Sequence, residues 1–410
     1  MNVAKLNLSF TGQQDRAARV LAGCWLALFP AAGLLRSIGT FQTYLLQNDL
    51  QGYSESTISW IFGVFAYLYF FGGILVGPAF DRYGSRELLV IGTCGLVSAL
   101  ISTSFCSRYH EYFLAFGVLG GLASSFIWTT CVAVLGHWYD QHQALATGIM
   151  STAAGIAGVV YPFVVTKLTP RVGFAWTVRV LGLLSLSCLC VSMLFIRTRL
   201  PKNTHVRLTL DWRGFRDIRF TLTMIAILIL DWAILVPGAY MTTYAIAAGM
   251  SKDVADLLLP ILNAATIFGA FVPGMIADSL GRFNVTIICA LMCGILNIGI
   301  WLTARSNAAS MIAFAVLFGL FSGPGYSLTP VCVAQLCRPE DFASKFGAAY
   351  GIVSFATLFG VPISGLVLGT GDGHNYQALI IFCAIAYFAS AAVFIIARGI
   401  SSGWNVKTVF

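Results

Sequence analysis

Between Phe220 and Ile246 one charged side chain, Asp231, interrupts a run of residues that are otherwise uncharged and mostly apolar. A helix that is greasy on every face belongs inside a large core or inside a bilayer, and this one exceeds the roughly 20 residues needed to cross hydrocarbon. The chain repeats the pattern twelve times. Apolar runs bounded by charges or by Gly and Pro occupy approximately 20–45, 56–80, 87–106, 112–137, 144–166, 174–196, 219–246, 255–278, 284–304, 309–334, 343–369 and 376–398. Only 10% of the 410 residues are Asp, Glu, Lys or Arg, against about 25% in soluble domains. The expectation is an all-α polytopic membrane protein with 12 transmembrane helices. The first run is too long for the core of a cleaved leader and is expected to stay as a helix.

The longest polar connection joins the sixth run to the seventh and divides the chain into two six-helix bundles. The expected organisation is a cytoplasmic segment 1–19, a bundle 20–196, a cytoplasmic linker 197–218, a bundle 219–398 and a cytoplasmic tail 399–410. Lysine and arginine set that orientation, because they collect in loops on the inner side. With both termini cytoplasmic, most of the 24 basic residues fall inside. The net charge of +8 is then a topological asymmetry and calls for no nucleic-acid partner. Eleven cysteines scattered through apolar runs and five histidines give no metal-ligand spacing and no disulfide framework. No metal and no cofactor are expected.

The halves are related by duplication. Gly77-x-x-x-Asp81-x-x-Gly84 recurs as Gly274-x-x-x-Asp278-x-x-Gly281, 197 positions later. Phe116 opens "FGVLGGLAS" and Phe314 opens "FAVLFGLFS", 198 apart, and "GTFQT" from Gly39 returns as "GAYMT" from Gly238, 199 apart. Six spans separate equivalent elements, so the halves share one membrane orientation. Parallel repeats with a substrate site between them near the midplane are a transporter architecture.

The cluster Gly77, Asp81, Arg82, Gly84 and Arg86 resembles the loop signature of the major facilitator superfamily, with Ser85 in place of one basic residue. Its repeat supplies Gly274, Asp278, Gly281 and Arg282. The resemblance implies two pseudo-symmetric bundles and a gating role for both clusters. Each glycine permits a close helix approach or a tight turn. Asp81 stands at the C-terminal end of its own helix, where the dipole disfavours an anion. It is therefore expected to find a partner elsewhere, either Arg86 or the N-terminus of a helix in the other half. A contact made in one state only would bias a rocking equilibrium.

Ionisable residues inside a span are costly and are functional candidates by default. Arg36 lies about 25 Å along the first helix from Arg19, and Asp231 about 18 Å along the seventh from Arg219. In the repeat frame the two differ by one helical turn and share a face, so both are expected on a central cavity. Arg36 is a candidate anchor for a substrate carboxylate and Asp231 a candidate proton site. Direct pairing, with exchange of partners when substrate or proton arrives, is a further possibility. Asn263, Tyr161, Tyr240 and Tyr326 are the remaining substrate-binding candidates. Gly148, Gly155, Gly158, Gly347 and Gly351, with Pro162 and Pro362, are expected to serve close packing and kinking of spans five and eleven.

"RSIGTFQTYL", "STISWIFG", "GGILVGPAFDRYGSR", "YPFVVTKLTPRVGFAWTVRV" and "LLLPILNAATIFGAFVPGMIADSLG" resemble the monocarboxylate-transporter branch, especially its fungal members, over nearly the whole chain. In that branch a lysine near the place of Arg36 takes part in anion binding. The branch also carries an arginine in span eight that holds the carboxylate, whereas this chain has Ala270 after Phe268 and Gly269. It further lacks the acidic residue of span eight and the arginine of span four found in proton-coupled relatives. A plain lactate-type symporter is thereby disfavoured.

The expected function is secondary active transport of a small organic solute, a monocarboxylate or related organic acid or metabolite, by alternating access and with proton coupling. The alternatives are efflux of a neutral or hydrophobic metabolite and a non-transporting sensor on the same fold. The short tail disfavours the sensor, and import and export stay equally open. No nucleotide cradle or nucleophile–base motif points to an enzyme. The expected setting is the plasma membrane, with the solute, protons and the lipid bilayer as partners and the monomer as the working unit.

Overall fold

A computed structural model describes residues 3–139, 142–200, 212–369 and 375–404, with backbone only for 3–13, 212–213 and 361. Much of the expected linker 197–218 and the end of the expected tail 399–410 lie outside the described residues. Twelve helices are long and apolar enough to cross a membrane: α1 Gln14–Arg36, α2 Glu55–Tyr83, α3 Ser85–Thr103, α4 Tyr109–Trp138, α5 Gln143–Val172, α6 Phe174–Phe195, α7 Ile218–Ala247, α8 Lys252–Leu280, α9 Arg282–Ala304, α10 Ala308–Gln335, α11 Phe342–Leu368 and α12 Tyr376–Ser402. The described residues hold no strand. Every expected span meets one of these helices.

The first span differs most from its expectation. The helix that ends at Arg36 begins at Val3, within the expected extramembrane segment 1–19, and the chain turns at Ser37 before a separate short helix Ile38–Gln47. The Ser37 hydroxyl donates to the carbonyls of Gly33 (2.7 Å) and Leu34 (3.1 Å), offering the backbone an alternative to the regular ladder. At the other half's entry, Asp217 caps α7. It accepts from the Arg219 backbone N–H at 3.0 Å and its guanidinium at 2.9 Å, and that guanidinium holds the carboxyl below its usual range.

The halves pack alike. α1 lies against α5 and α6 as α7 lies against α11 and α12; α2 meets α4 as α8 meets α10; α3 meets α6 as α9 meets α12. Between halves, the main crossings are α5 on α8 and α2 on α11, and the pseudo-twofold exchanges one for the other. Apolar burial drives little helix association in lipid, so these crossings depend on how closely backbones approach. Gly77 has no room for a Cβ beside the carbonyl of Ala343, nor Gly347 beside that of Gly73. On the symmetry-related crossing, a Cβ on Gly148 would stand 2.6 Å from the Ala270 oxygen and one on Gly274 2.9 Å from that of Ala144. The expected close-packing role of Gly148, Gly155, Gly347 and Gly351 matches this geometry: Gly155 abuts Ile267 and Gly351 abuts Ile74.

Candidate functional site

Two features sit on the interface between the halves: a pair of carboxylate latches at one end and a cavity deeper in. The latches come from the repeated clusters. α2 ends at Gly84 (φ 89°) and α8 at Gly281 (φ 93°), left-handed conformations that glycine adopts without strain. Just before those ends, Asp81 and Asp278 reach across to the other half. Asp81 Oδ2 accepts the backbone N–H of Ser344 at 3.1 Å and also the Ser344 hydroxyl. Asp278 accepts the N–H of Ala144 on Oδ1 (3.2 Å) and of Leu145 on Oδ2 (2.9 Å). Those N–H groups belong to the first turns of α11 and α5, where no intrahelical acceptor exists and where the dipole favours an anion. Each carboxylate thus leaves an unfavourable helix C-terminus for a favourable N-terminus. Of the two partners expected for Asp81, the helix end is the one found.

The basic members of the clusters do less. Arg282 Nε lies 3.7 Å from Asp278 and its guanidinium 3.4 Å from the Gln143 side-chain oxygen. Arg82 lies over the ring of Tyr83 at 5.5 Å, and Arg86 is exposed.

The cavity is about 60 Å³, on the order of four or five times the space one water needs. Eight helices line it. Arg36 comes from the end of α1, Asp231 from the middle of α7 and Tyr326 from α10; Tyr69 and Phe70 of α2, Trp128 of α4 and Tyr350 of α11 form aromatic walls. Phe70, Trp128 and Tyr350 are one cluster, with ring centroids 4.9–6.0 Å apart, and it spans both halves. Ser151 and Thr266 add hydroxyls, and Ala270 adds an apolar patch where the resembling branch carries its arginine. The Arg36 guanidinium carbon lies 4.3 Å from the centre of the Tyr326 ring. Among the described residues Arg36 and Asp231 do not close to ion-pair distance, although each acts electrostatically on the other.

Tyr326 reaches the cavity because α10 is broken. A turn at Gly323 is followed by the short helical piece Pro324–Ser327, and a second break falls at Leu328. The break is held by contact: Gly323 lies on the backbone of Gly269 and Ala270, and Gly325 on the Ile234 side chain of α7.

Three sequence candidates are not brought to this cavity. Tyr161 is fully buried within the N-terminal half, its hydroxyl 3.0 Å from that of Ser185 and its ring against Phe29 and Gly33. Asn263 is buried in α8, and its backbone carbonyl accepts the Thr266 hydroxyl. Tyr240 sits outside the lining, its hydroxyl facing Gly365. For Tyr161 the physical reason is that a hydroxyl in an apolar span needs a local partner, and Ser185 supplies one within the same half. Sequence reasoning missed Tyr69, Phe70, Trp128 and Tyr350. An aromatic in a greasy run carries no signal of which way it faces.

The family model of the Major Facilitator Superfamily matches residues 24–338 and 221–407. An MFS-type transporter of Aspergillus niger, pynF, is 34% identical over 94% of this chain and 89% of its own. The Riboflavin transporter MCH5 of Saccharomyces cerevisiae is 30% identical over 97% of this chain and 81% of its own. The Aspyridones efflux protein apdF of Emericella nidulans is 32% identical over 92% and 77%. Among solved structures the proton:xylose symporter XylE superposes with a TM-score of 0.72, at 15% identity over 97% of each chain. With twelve apolar helices in two matching halves, the chain is a multi-pass membrane protein and a transporter of small organic solutes, not an enzyme; it belongs to the Major Facilitator Superfamily.

Proposed function

We propose that the protein is a proton-coupled carrier of a partly apolar organic acid, with Arg36 as the anion anchor and Asp231 as the proton site. The observation that carries this reading is the placement of Arg36, Asp231 and Tyr326 on one aromatic-walled cavity between the halves. Charge in a low-dielectric cavity must be balanced. Empty, Arg36 and an ionised Asp231 sum to zero. Loaded, Arg36, an anionic substrate and a protonated Asp231 sum to zero again, so one anion enters with one proton. The carrier alternates by opening and closing the Asp81 and Asp278 latches, with the latch end at the cytoplasmic face of the plasma membrane, both termini cytoplasmic and the monomer as the working unit.

One guanidinium and an apolar Ala270, in place of two cations, favour a solute larger and more apolar than lactate. The four aromatic walls point the same way. A second reading is export of a neutral, hydrophobic metabolite, favoured by those walls and by the relative named an efflux protein.

The test is flux of labelled carboxylates into proteoliposomes, with and without an imposed pH gradient, for wild type, Arg36→Gln and Asp231→Asn. Gradient-driven accumulation lost in Asp231→Asn while exchange survives supports the assignment. Accumulation indifferent to both substitutions sinks it. Flux of neutral solutes alone would favour the second reading.

A further inference from the structure

We propose that Tyr326 is the positioning residue of the cavity: its ring holds the Arg36 guanidinium apart from Asp231 while the cavity is empty and yields it to the substrate anion when the cavity fills. This deepens the reading above and rests on Arg36 being the anchor.

The sequence places Arg36 and Asp231 one helical turn apart in the repeat frame, on one face of symmetry-related helices, which leaves a direct ion pair open. The pair is not closed, and the guanidinium carbon instead lies 4.3 Å from the centre of the Tyr326 ring. Two independent features build that geometry. On the near side, Gly158 of α5 leaves a niche for the arginine stem; a Cβ there would stand 3.2 Å from Arg36 Cβ and 3.4 Å from Cγ. On the far side, the broken piece of α10 carries Tyr326, and Gly325 seats that piece against Ile234, one turn along α7 from Asp231. The stem belongs to one half and the ring to the other, so the contact also ties the halves across the cavity.

The consequence is chemical. A ring face attracts a cation through its quadrupole, without a counter-charge. The guanidinium carries five N–H donors in its plane, suited to binding a carboxylate edge-on. Held over the Tyr326 ring, with one contact to its hydroxyl, Arg36 keeps its remaining donors for an incoming anion, and Asp231 stays available for a proton. Closed on Asp231, the same guanidinium would be committed, and both substrate and proton would have to break a buried ion pair first. The other titratable groups on the cavity, the phenols of Tyr69 and Tyr350, offer no competing charge at neutral pH.

The experiment uses the full chain in liposomes and the probe N,N′-dicyclohexylcarbodiimide, which modifies protonated carboxyls in apolar surroundings; modification at Asp231 is read by peptide mass spectrometry at a fixed pH. At an acidic pH where Asp231 of wild type is labelled, Tyr326→Phe is expected to label within twofold of wild type and Arg36→Gln at least as strongly, since no cation then opposes protonation of the carboxyl. Tyr326→Leu and the volume-matched Tyr326→Met are expected to label at least fivefold less, as Arg36 swings to Asp231. Adding Arg36→Gln to either is expected to restore labelling. Global unfolding is read separately, as loss of the melting transition in detergent.

Labelling in Tyr326→Leu and Tyr326→Met equal to wild type overturns the proposal, and so does a loss that Arg36→Gln fails to restore. Wild type labelled no more than Tyr326→Leu, with Arg36→Gln labelled strongly, would mean that the ion pair already exists. No labelling in any variant would mean that Asp231 is not open to the cavity; both results overturn it. Carboxylate flux in the same liposomes separates the two readings. If flux is absent or indifferent to Arg36→Gln, the carrier assignment fails whatever the labelling shows. If flux needs Arg36 but labelling is unaffected by loss of the ring, only the role of Tyr326 fails.

Discussion

Asp81 and Ser344 stand 263 positions apart in the chain and meet through a buried carboxylate that accepts both the backbone N–H and the hydroxyl of the serine. Its counterpart Asp278 holds two backbone N–H groups, one on each oxygen. The two latches are related by the repeat but are unequal: Asp81 Oδ1 is buried without a hydrogen-bond partner. An orphaned buried oxygen costs about 1–3 kcal/mol, comparable to what one charge-assisted bond returns. The Asp81 latch is therefore the weaker of the two.

That inequality predicts different responses to neutralisation. Asp278→Asn loses about 1.5–3 kcal/mol of charge-assisted bonding, a ten- to hundredfold shift of the latch toward open. Asp81→Asn loses less, because both of its hydrogen bonds fall on one oxygen that an amide carbonyl can replace. Asp278 uses both oxygens, and an amide nitrogen there would face a backbone donor. Hydrogen exchange of the first turns of α5 and α11 reads this directly. Exchange at 143–146 should accelerate in Asp278→Asn more than exchange at 342–346 does in Asp81→Asn. The reverse ranking would contradict the latch assignment.

Most of the fold was legible because its signal is collective. A greasy run survives many substitutions, so twelve runs gave twelve helices and the repeat gave the pairing of halves. The latch was legible for a different reason: an aspartate at a helix C-terminus is electrostatically misplaced, so it demands a distant partner, and the repeat showed that there were two. The cavity was legible only through its charges. Arg36 and Asp231 stood out because hydrocarbon penalises them, whereas Trp128 and Tyr350 cost nothing in such a setting and so announced nothing. Tyr161 misled for the same reason in reverse, since a hydroxyl that is conspicuous in sequence was satisfied by Ser185 of the neighbouring helix.

Tyr161→Phe tests that correction. Removing the hydroxyl breaks one neutral hydrogen bond, and Ser185 keeps its own bond to the Leu181 carbonyl at 2.7 Å. The expected cost is about 1 kcal/mol of stability, read as a small fall in melting temperature in detergent. KM for any transported solute should stay within twofold of wild type. A tenfold rise in KM at unchanged stability would return Tyr161 to the substrate path.

Glycines that repeat between the halves are not equivalent, and alanine substitution should separate them. Gly39 and Gly238 are repeat partners, yet a Cβ at either would meet nothing within 4 Å. Gly238 lies inside α7, so Gly238→Ala should be neutral or stabilising by up to about 1 kcal/mol. Gly77→Ala and Gly347→Ala place a methyl against a backbone carbonyl of the other half, where nothing can rotate away. Overpacking of this kind costs about 1–3 kcal/mol, and here it falls on the closed latch alone. Both variants should keep near-normal melting temperatures while exchange at 342–346 accelerates at least tenfold. Equal behaviour of Gly77→Ala and Gly238→Ala would show that the α2–α11 crossing is not a tight contact in the working protein.

The aromatic cluster of Phe70, Trp128 and Tyr350 joins the halves, and Trp128 holds its centre, 5.0 Å from Phe70, 4.9 Å from Tyr350 and 5.1 Å from Phe346. A solute passing toward the latch end must part these rings, so Trp128 has two duties that pull in opposite directions. It lines the cavity, where a flat apolar surface favours a solute with an apolar face. It also shuts the way below, where its bulk slows passage. Trp128→Ala should therefore weaken apparent affinity for an aromatic carboxylate by about tenfold, in line with the roughly 1.4 kcal/mol of a lost ring contact, while accelerating its exchange at saturating concentration. Trp128→Phe should restore affinity within threefold and slow the exchange again. Paired KM and maximal-rate measurements on the same liposomes decide it, and a fall in both together would leave Trp128 with a packing role and no gate.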